Sequence, residues 1–207
     1  MNLTERQSDA VTELINIAFG RTTAALSELT GHRVLVESPV VSVVPLETLG
    51  AALGRYAPGD VASIHQDFSG PIAGDALLIL SQPGAAALTG LLTDTPMAGV
   101  HLDDSAREVL TEVGNILLNA CLSMFGNMLD VRVTFSVPRM RLDTVQELVS
   151  ALLKTDTDAR HAIVIAMEFR VRETAVTGYL AMVLGVASLQ SFVREVERWE
   201  ARAHASS

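Results

Sequence analysis

A pattern that occurs twice constrains this chain more than anything else in it. Glu13 and Asn16, three positions apart, are followed after 22 residues by Pro39, and the same arrangement returns 99 positions later as Glu112, Asn115 and Pro138. Glu, Asn and Pro each make up a few per cent of ordinary sequence, so one such match carries little weight and its repetition carries much. The surrounding segments repeat as well. Helical spacing from Thr4 to about Thr30, stopped by Gly31, precedes a β-branched strand, Arg33 to Val44, with Pro39 inside it. A short segment around Leu46 to Leu53 and a turn at Ala57 to Asp60 lead into a hairpin, Val61 to Phe68 and Ile72 to Leu80. Pro83 then opens a small-residue helix to about Leu92. Thr93 to Asp103 lacks periodicity and reads as a connector. Beyond it the order restarts: a helix from Asp103 to Met128, a strand from Val131 to Met140 carrying Pro138, and a short helix from Asp143 to Leu153. A second hairpin, Ala162 to Val171 and Thr174 to Leu184, and a closing helix from Ala187 to about Ala201 complete it. The predicted fold is α+β, a single domain over 1–207 made of two repeats, 1–93 and 103–207, joined by 94–102. Long helices pack on a β-sheet as a pseudo-two-fold pair, burying faces that neither half covers alone. Proline cannot donate to a ladder, so Pro39 and Pro138 are expected at an edge or a bulge.

Composition removes several classes of function. A net charge of −9 with scattered basic residues argues against a nucleic-acid partner. The one lysine, Lys154, follows Leu153 rather than glycine, so a Walker-type phosphate loop is missing. The lone Cys121 excludes an intrachain disulfide, is expected in the core, and argues against a structural zinc site. The apolar fraction of 49% is high, yet no uninterrupted apolar run approaches the roughly 18 residues of a membrane span. No secretory signal is recognisable at Met1, so a cytoplasmic protein without a membrane partner is expected.

On a helical wheel, Asp9, Glu13 and Asn16 fall within about 60° of one another, and Val11, Leu14, Ile15, Ala18, Thr22, Ala25, Leu26 and Leu29 lie opposite. In the second helix Glu108, Glu112, Asn115 and Asn119 form the polar stripe, opposite Leu110, Val113, Leu117, Cys121, Met124 and Met128. Two exposed acid-amide pairs are expected. Residues three apart on a helix stand roughly 5–6 Å apart at Cβ, so one partner can meet both members of a pair. A carboxylate anchors a cation, and a carboxamide, with both donor and acceptor, can orient a water molecule. Asparagine is no general base, so its chemistry is positioning, as glutamine positions water in GTPases. Gly20, one turn beyond Asn16, costs about 1 kcal/mol relative to alanine in a helix, which suggests close approach of a partner or of another helix.

These residues resemble the CheC/FliY/CheX phosphatases of bacterial chemotaxis, whose signature is Asp or Ser, three residues, Glu, two residues, Asn, about 22 residues, then Pro. Asp9, Glu13, Asn16 and Pro39 fit it throughout. Glu112, Asn115 and Pro138 fit it too, with Glu108 where the family has Asp or Ser. Two motifs in one chain resemble the stand-alone CheC arrangement, whereas single-motif CheX dimerises and FliY adds a C-terminal switch domain, which is not expected here. The resemblance implies hydrolysis of the aspartyl phosphate on a CheY-type response regulator in two-component signalling. In that scheme Glu13 or Glu112 pairs with a regulator lysine, and Asn16 or Asn115 orients the attacking water. The implied metal is Mg²⁺ on the regulator, with no metal or cofactor held by this chain. Asp9, Glu108, Gly20 and Asn119 are then partner-binding, and Pro39 and Pro138 structural.

The rival reading is a non-catalytic adaptor for a response regulator or a CheD-like deamidase; a structural part of the flagellar switch is a third. A monomer is expected, since two halves supply the face that a single-motif relative gains by dimerising. The greater length of Glu108 suggests that the first site contributes more activity. The histidines are expected mostly in turns or at the surface, the Asp103-Asp104 and Asp156-x-Asp158 runs as helix-end and loop charge, and Trp199 as the dock of the last helix.

Overall fold

The computed structural model describes residues 3–31, 33–36, 39–54, 59–93, 102–154, 160–171 and 174–205. The chain opens with α1 (Glu5–Thr30), then β1 (Val34–Val36), β2 (Val40–Pro45), a 3-10 turn (Leu46–Thr48), α2 (Leu49–Gly54), β3 (Asp60–Ser69), β4 (Gly74–Ser81) and α3 (Gln82–Thr93). It continues with α4 (Asp104–Leu129), β5 (Thr134–Phe135), β6 (Arg139–Thr144), α5 (Val145–Lys154), β7 (Arg160–Val171), β8 (Thr174–Gly185) and α6 (Val186–Ala205). The order of helix, interrupted strand, short helix, hairpin and helix therefore recurs. Most of the connector 94–102, part of the turn before β3 and the Asp156-x-Asp158 run lie outside the described residues.

The two long helices start and stop where side-chain chemistry says they should. Thr4 and Gln7 form a reciprocal capping box at the start of α1, and Gly31, at φ 64°, takes the left-handed conformation that ends it. Asp103 accepts from the Ala106 N–H at 2.8 Å to cap α4, an arrangement worth about 1 kcal/mol. The strands with proline inside differ from their expected extents. Each is two short strands, because proline offers no N–H to a ladder; Pro39 immediately precedes β2 and Pro138 immediately precedes β6. β6 runs on to Thr144, and α5 begins only at Val145, since Thr144 and Glu147 cap it reciprocally. Those bonds hold the Glu147 carboxyl below its ordinary range.

One eight-stranded antiparallel sheet organises the molecule, in the order β1-β7-β8-β4-β3-β5, with β2 also on β7 and β6 also on β3. The hairpins β3–β4 and β7–β8 meet through β4 and β8 at the centre. The proline-interrupted strands cross over: β1 and β2 pair with the second hairpin, while β5 and β6 pair with the first. The registers correspond, Val41 opposite Ile165 and Met140 opposite Ile64.

Alternation along the strands serves both faces of the sheet. Ala62, Ile64, Phe68, Ile163, Ile165 and Met182 join the core under α1, α3, α4 and α6, while Val61, Leu77, Ile79, Val164, Tyr179 and Val183 pack against α2 and α5 on the other side. Cys121 lies fully buried in the first of these cores, its thiol pushed well above the usual range by desolvation, and Trp199 packs at its margin. By length and composition α4 could cross a membrane, but half of its apolar window is buried inside this fold.

Two histidines depart from the surface placement expected of them. His65 is half-buried on β3, with Nε2 2.9 Å from the Ser63 Oγ, and His161 is buried on β7. Desolvation, aided by the Arg141 guanidinium, lowers the His65 pKa from 6.5 to about 4. Burial lowers His161 as well. Both stay neutral in the fold while the unfolded chain takes up protons below pH 6.5, so stability is full above that value and falls as pH drops towards 4. Urea unfolding across this window should show the decline, and His65→Gln should make it shallower; an unchanged slope would remove His65 from the account.

Candidate functional site

The exposed stripe of α1 is as the helical spacing requires. Asp9, Glu13, Asn16 and Gly20 all face solvent, while Val11, Leu14, Ile15 and Ala18 are buried behind them. A Cβ added at Gly20 would meet nothing within 4 Å, so this glycine is not a close helix–helix contact, and the surface beside Asn16 is open. The first turn of α1 is tied to α6 by Arg6 to Glu200 at 3.1 Å and Gln7 to Glu197 at 2.9 Å.

The stripe of α4 is built differently. Glu108 and Glu112 are exposed and, with Thr111, Pro138 and Arg139, line an open groove of about 1010 Å³ along β6. The groove thus brings together the acid and the proline of the second motif, which lie far apart in sequence. Asn115 and Asn119 are only partly exposed. Asn119, expected to face a partner, instead spends its carboxamide inside the protein: its Nδ2 donates to Asn115 Oδ1 at 2.7 Å, and its Oδ1 accepts from Gln66 Nε2 at 3.0 Å. Gln66 Nε2 also donates to the Ser136 carbonyl at 2.9 Å. Ser136 is itself held on β3, its N–H donating to the Asp67 carbonyl and its Oγ accepting from the Asp67 N–H, each at 2.9 Å. The loop that carries Pro138 is therefore linked, through Gln66 and Asn119, to Asn115.

Gln66 escaped the motif-based reading, although a signal for it exists. Ala62, Ile64, Gln66 and Phe68 share one face of a strand that is otherwise apolar there, and Gln66 is 2% exposed. A buried carboxamide in that position needs partners. Among the described residues no group of three His, Cys, Asp or Glu side chains gathers closely enough to hold a metal ion. The stripes offer carboxylates and carboxamides, which can bind a cation and orient a water but supply no strong base.

Two acid-amide pairs thus stand on α1 and α4, which cover the same side of the antiparallel sheet: Glu13 and Asn16 both exposed, Glu112 exposed with Asn115 partly so. No protein-family model matches the chain. It is 26% identical over 153 residues to the flagellar motor switch phosphatase FliY of Bacillus subtilis, covering 70% of this chain and 38% of that protein, so it spans about two fifths of that relative's length. To the CheY-P phosphatase CheC of the same organism it is 26% identical over 165 residues, 78% of each chain. Among solved structures, Thermotoga maritima FliY superposes with a TM-score of 0.78 at 15% identity, over 98% of this chain and 99% of that one. The FliM middle domain of H. pylori gives 0.67 at 10% identity, over 93% and 99%. CheX in its complex with CheY, BeF3 and Mg from Borrelia burgdorferi gives 0.51 at 11%, over 81% and 95%. The chain is a homologue of CheC and FliY and has the fold of the CheC/FliY/CheX family.

Proposed function

We propose that this protein hydrolyses the aspartyl phosphate of a CheY-type response regulator, using Glu13 with Asn16 and Glu112 with Asn115. The observation that carries the reading is the acid-amide pair on each of α1 and α4, with Glu13, Asn16 and Glu112 exposed and Asn115 partly so, spaced for a two-point contact, in a homologue of a CheY-P phosphatase. The substrate is the phosphorylated regulator with its own Mg²⁺. Glutamate pairs with a regulator lysine and docks the two proteins. Asparagine enters beside the acyl phosphate and fixes a water in line with the bond from phosphorus to the aspartyl oxygen. That bond breaks as the water oxygen bonds to phosphorus, releasing inorganic phosphate and restoring the carboxylate. Such positioning can supply several kcal/mol without any base on this chain.

The roles of the two side chains separate experimentally. In an Asn16→Ala background, Glu112→Ala should raise KM roughly tenfold, an effect that shrinks as salt screens the ion pair. Asn115→Ala should leave KM nearly unchanged and lower kcat on the order of 100-fold. Equal effects on binding and turnover for both substitutions would sink this division. The test of the function itself is loss of phosphate from a purified phosphorylated regulator, with and without this protein, in Mg²⁺.

The second reading is a non-catalytic adaptor, favoured by the likeness to the FliM middle domain. It predicts regulator binding without faster phosphate loss.

A further inference from the structure

The chain of carboxamides behind Asn115 has a direction, and one end of it cannot be reversed. The Ser136 backbone carbonyl can only accept, so the Gln66 atom 2.9 Å from it is the nitrogen. The same nitrogen reaches Asn119 Oδ1 at 3.0 Å, which turns the Asn119 nitrogen towards Asn115, where it donates to Oδ1 at 2.7 Å. Each bond fixes the rotation of the next amide, and aligned bonds of this kind strengthen one another. Asn115 is left with its Nδ2 hydrogens and one Oδ1 lone pair facing away from the chain.

This arrangement is not what stability alone would select. Gln66 is 2% exposed, and its Oε1 is buried without a hydrogen-bond partner, a state that ordinarily destabilises a fold by about 1–3 kcal/mol. The corresponding register position on β7, two residues beyond Ile165 as Gln66 is two beyond Ile64, holds the buried Met167. On α1 the position one turn beyond Asn16 is Gly20, which has no side chain to reach back. Both parts of the chain behind Asn115 are therefore missing behind Asn16.

We propose that Gln66 and Asn119 are positioning residues that hold the Asn115 carboxamide in one rotation, donor side outward, making the α4 site the faster of the two. The inference rests on the phosphatase reading for what Asn115 does, and it reverses the ranking that the length of Glu108 suggests. With its amide already oriented, Asn115 need not lose that rotational freedom when the regulator docks; Asn16 must.

The test uses the full chain carrying Asn16→Ala, so that only the α4 site works, and a purified phosphorylated regulator. Gln66→Met and Asn119→Leu should each lower kcat about tenfold with KM unchanged within about twofold. The thermal midpoint of Gln66→Met should hold or rise, because the buried unpaired oxygen is gone. Added instead to Asn115→Ala in a chain that keeps Asn16, either substitution should leave the remaining rate of the α1 site unchanged. Without any substrate, the Asn119 side-chain N–H signals should exchange with solvent more slowly than those of Asn16 in the unsubstituted chain, and lose that protection in Gln66→Met. If Asn115→Ala fails to slow the Asn16→Ala protein, the phosphatase reading fails while the exchange result still reports on the amide chain. If Asn115→Ala slows it and the Gln66 and Asn119 variants do not, or if they slow the Asn115→Ala chain that keeps Asn16 by the same factor, the positioning role is overturned. A slower Asn16→Ala than Asn115→Ala protein would overturn the ranking.

Discussion

Replacing Asn16 and Asn115 together by alanine should return the phosphorylated regulator to its own rate of decay while leaving complex formation largely intact. The two stripes offer carboxylates for docking and carboxamides for orientation, and no histidine shares either of them. If acceleration comes from holding one water in line, its loss removes the effect rather than diminishing it, because no base on these stripes can substitute. A loss on the order of 100-fold at one site corresponds to about 2.7 kcal/mol of transition-state stabilisation, within what one positioned group supplies. Phosphate release in single turnover, alongside regulator binding by anisotropy, measures both quantities on one set of variants. Substantial acceleration by the double variant would remove both asparagines from the chemistry. Binding without acceleration by the unsubstituted protein would leave the adaptor reading in its place.

The second large effect is on stability and arises one residue before Asn115. A Cβ at Gly114 would stand 2.7 Å from Ile64 Cγ2 and 2.9 Å from both Ile64 Cβ and Cγ1. Ile64 is fully buried, and the clash falls on its branch point, which cannot swing aside as the end of a long side chain would. Gly114→Ala gains about 1 kcal/mol of helix propensity but must lift α4 from β3, and overpacking of this kind costs about 1–3 kcal/mol. Gly114→Leu should cost more than about 3 kcal/mol, a large share of the 5–15 kcal/mol that holds a typical domain folded. Urea unfolding reads both. Ile64→Ala removes the Cγ1 and Cγ2 contacts, leaving only the one to Cβ, so the Gly114→Ala and Ile64→Ala pair should lose less than the sum of the single changes; strict additivity would show that the contact is not the cause. Gln66 follows Ile64 by two residues on the same face of β3, so lifting α4 should also part Gln66 from Asn119 and depress the α4 site before the α1 site.

Much of this molecule is written in local pattern. The polar stripes of α1 and α4, their caps at Thr4 and Asp103, the two hairpins and the proline interruptions follow from periodicity, capping chemistry and a missing N–H, all of which act over a few residues. Which strands lie side by side does not follow from these. β2 joins β7, and β6 joins β3, each reaching into the other half, a choice made by complementary burial on both faces of a nearly uniformly apolar sheet, where alternation states which way a side chain points but not which strand it will meet. The inward turn of Asn119 was decided there too. On the wheel it shares the stripe with Glu112 and Asn115, and only the close seat of α4 on β3, permitted by Gly114, brings Gln66 within hydrogen-bonding distance of it. Helical periodicity was enough to turn two acid-amide pairs outward. That one of them has a buried chain of amides behind it and the other does not came only with packing, because hydrogen bonds between residues 53 positions apart exist only once the sheet and helix have met.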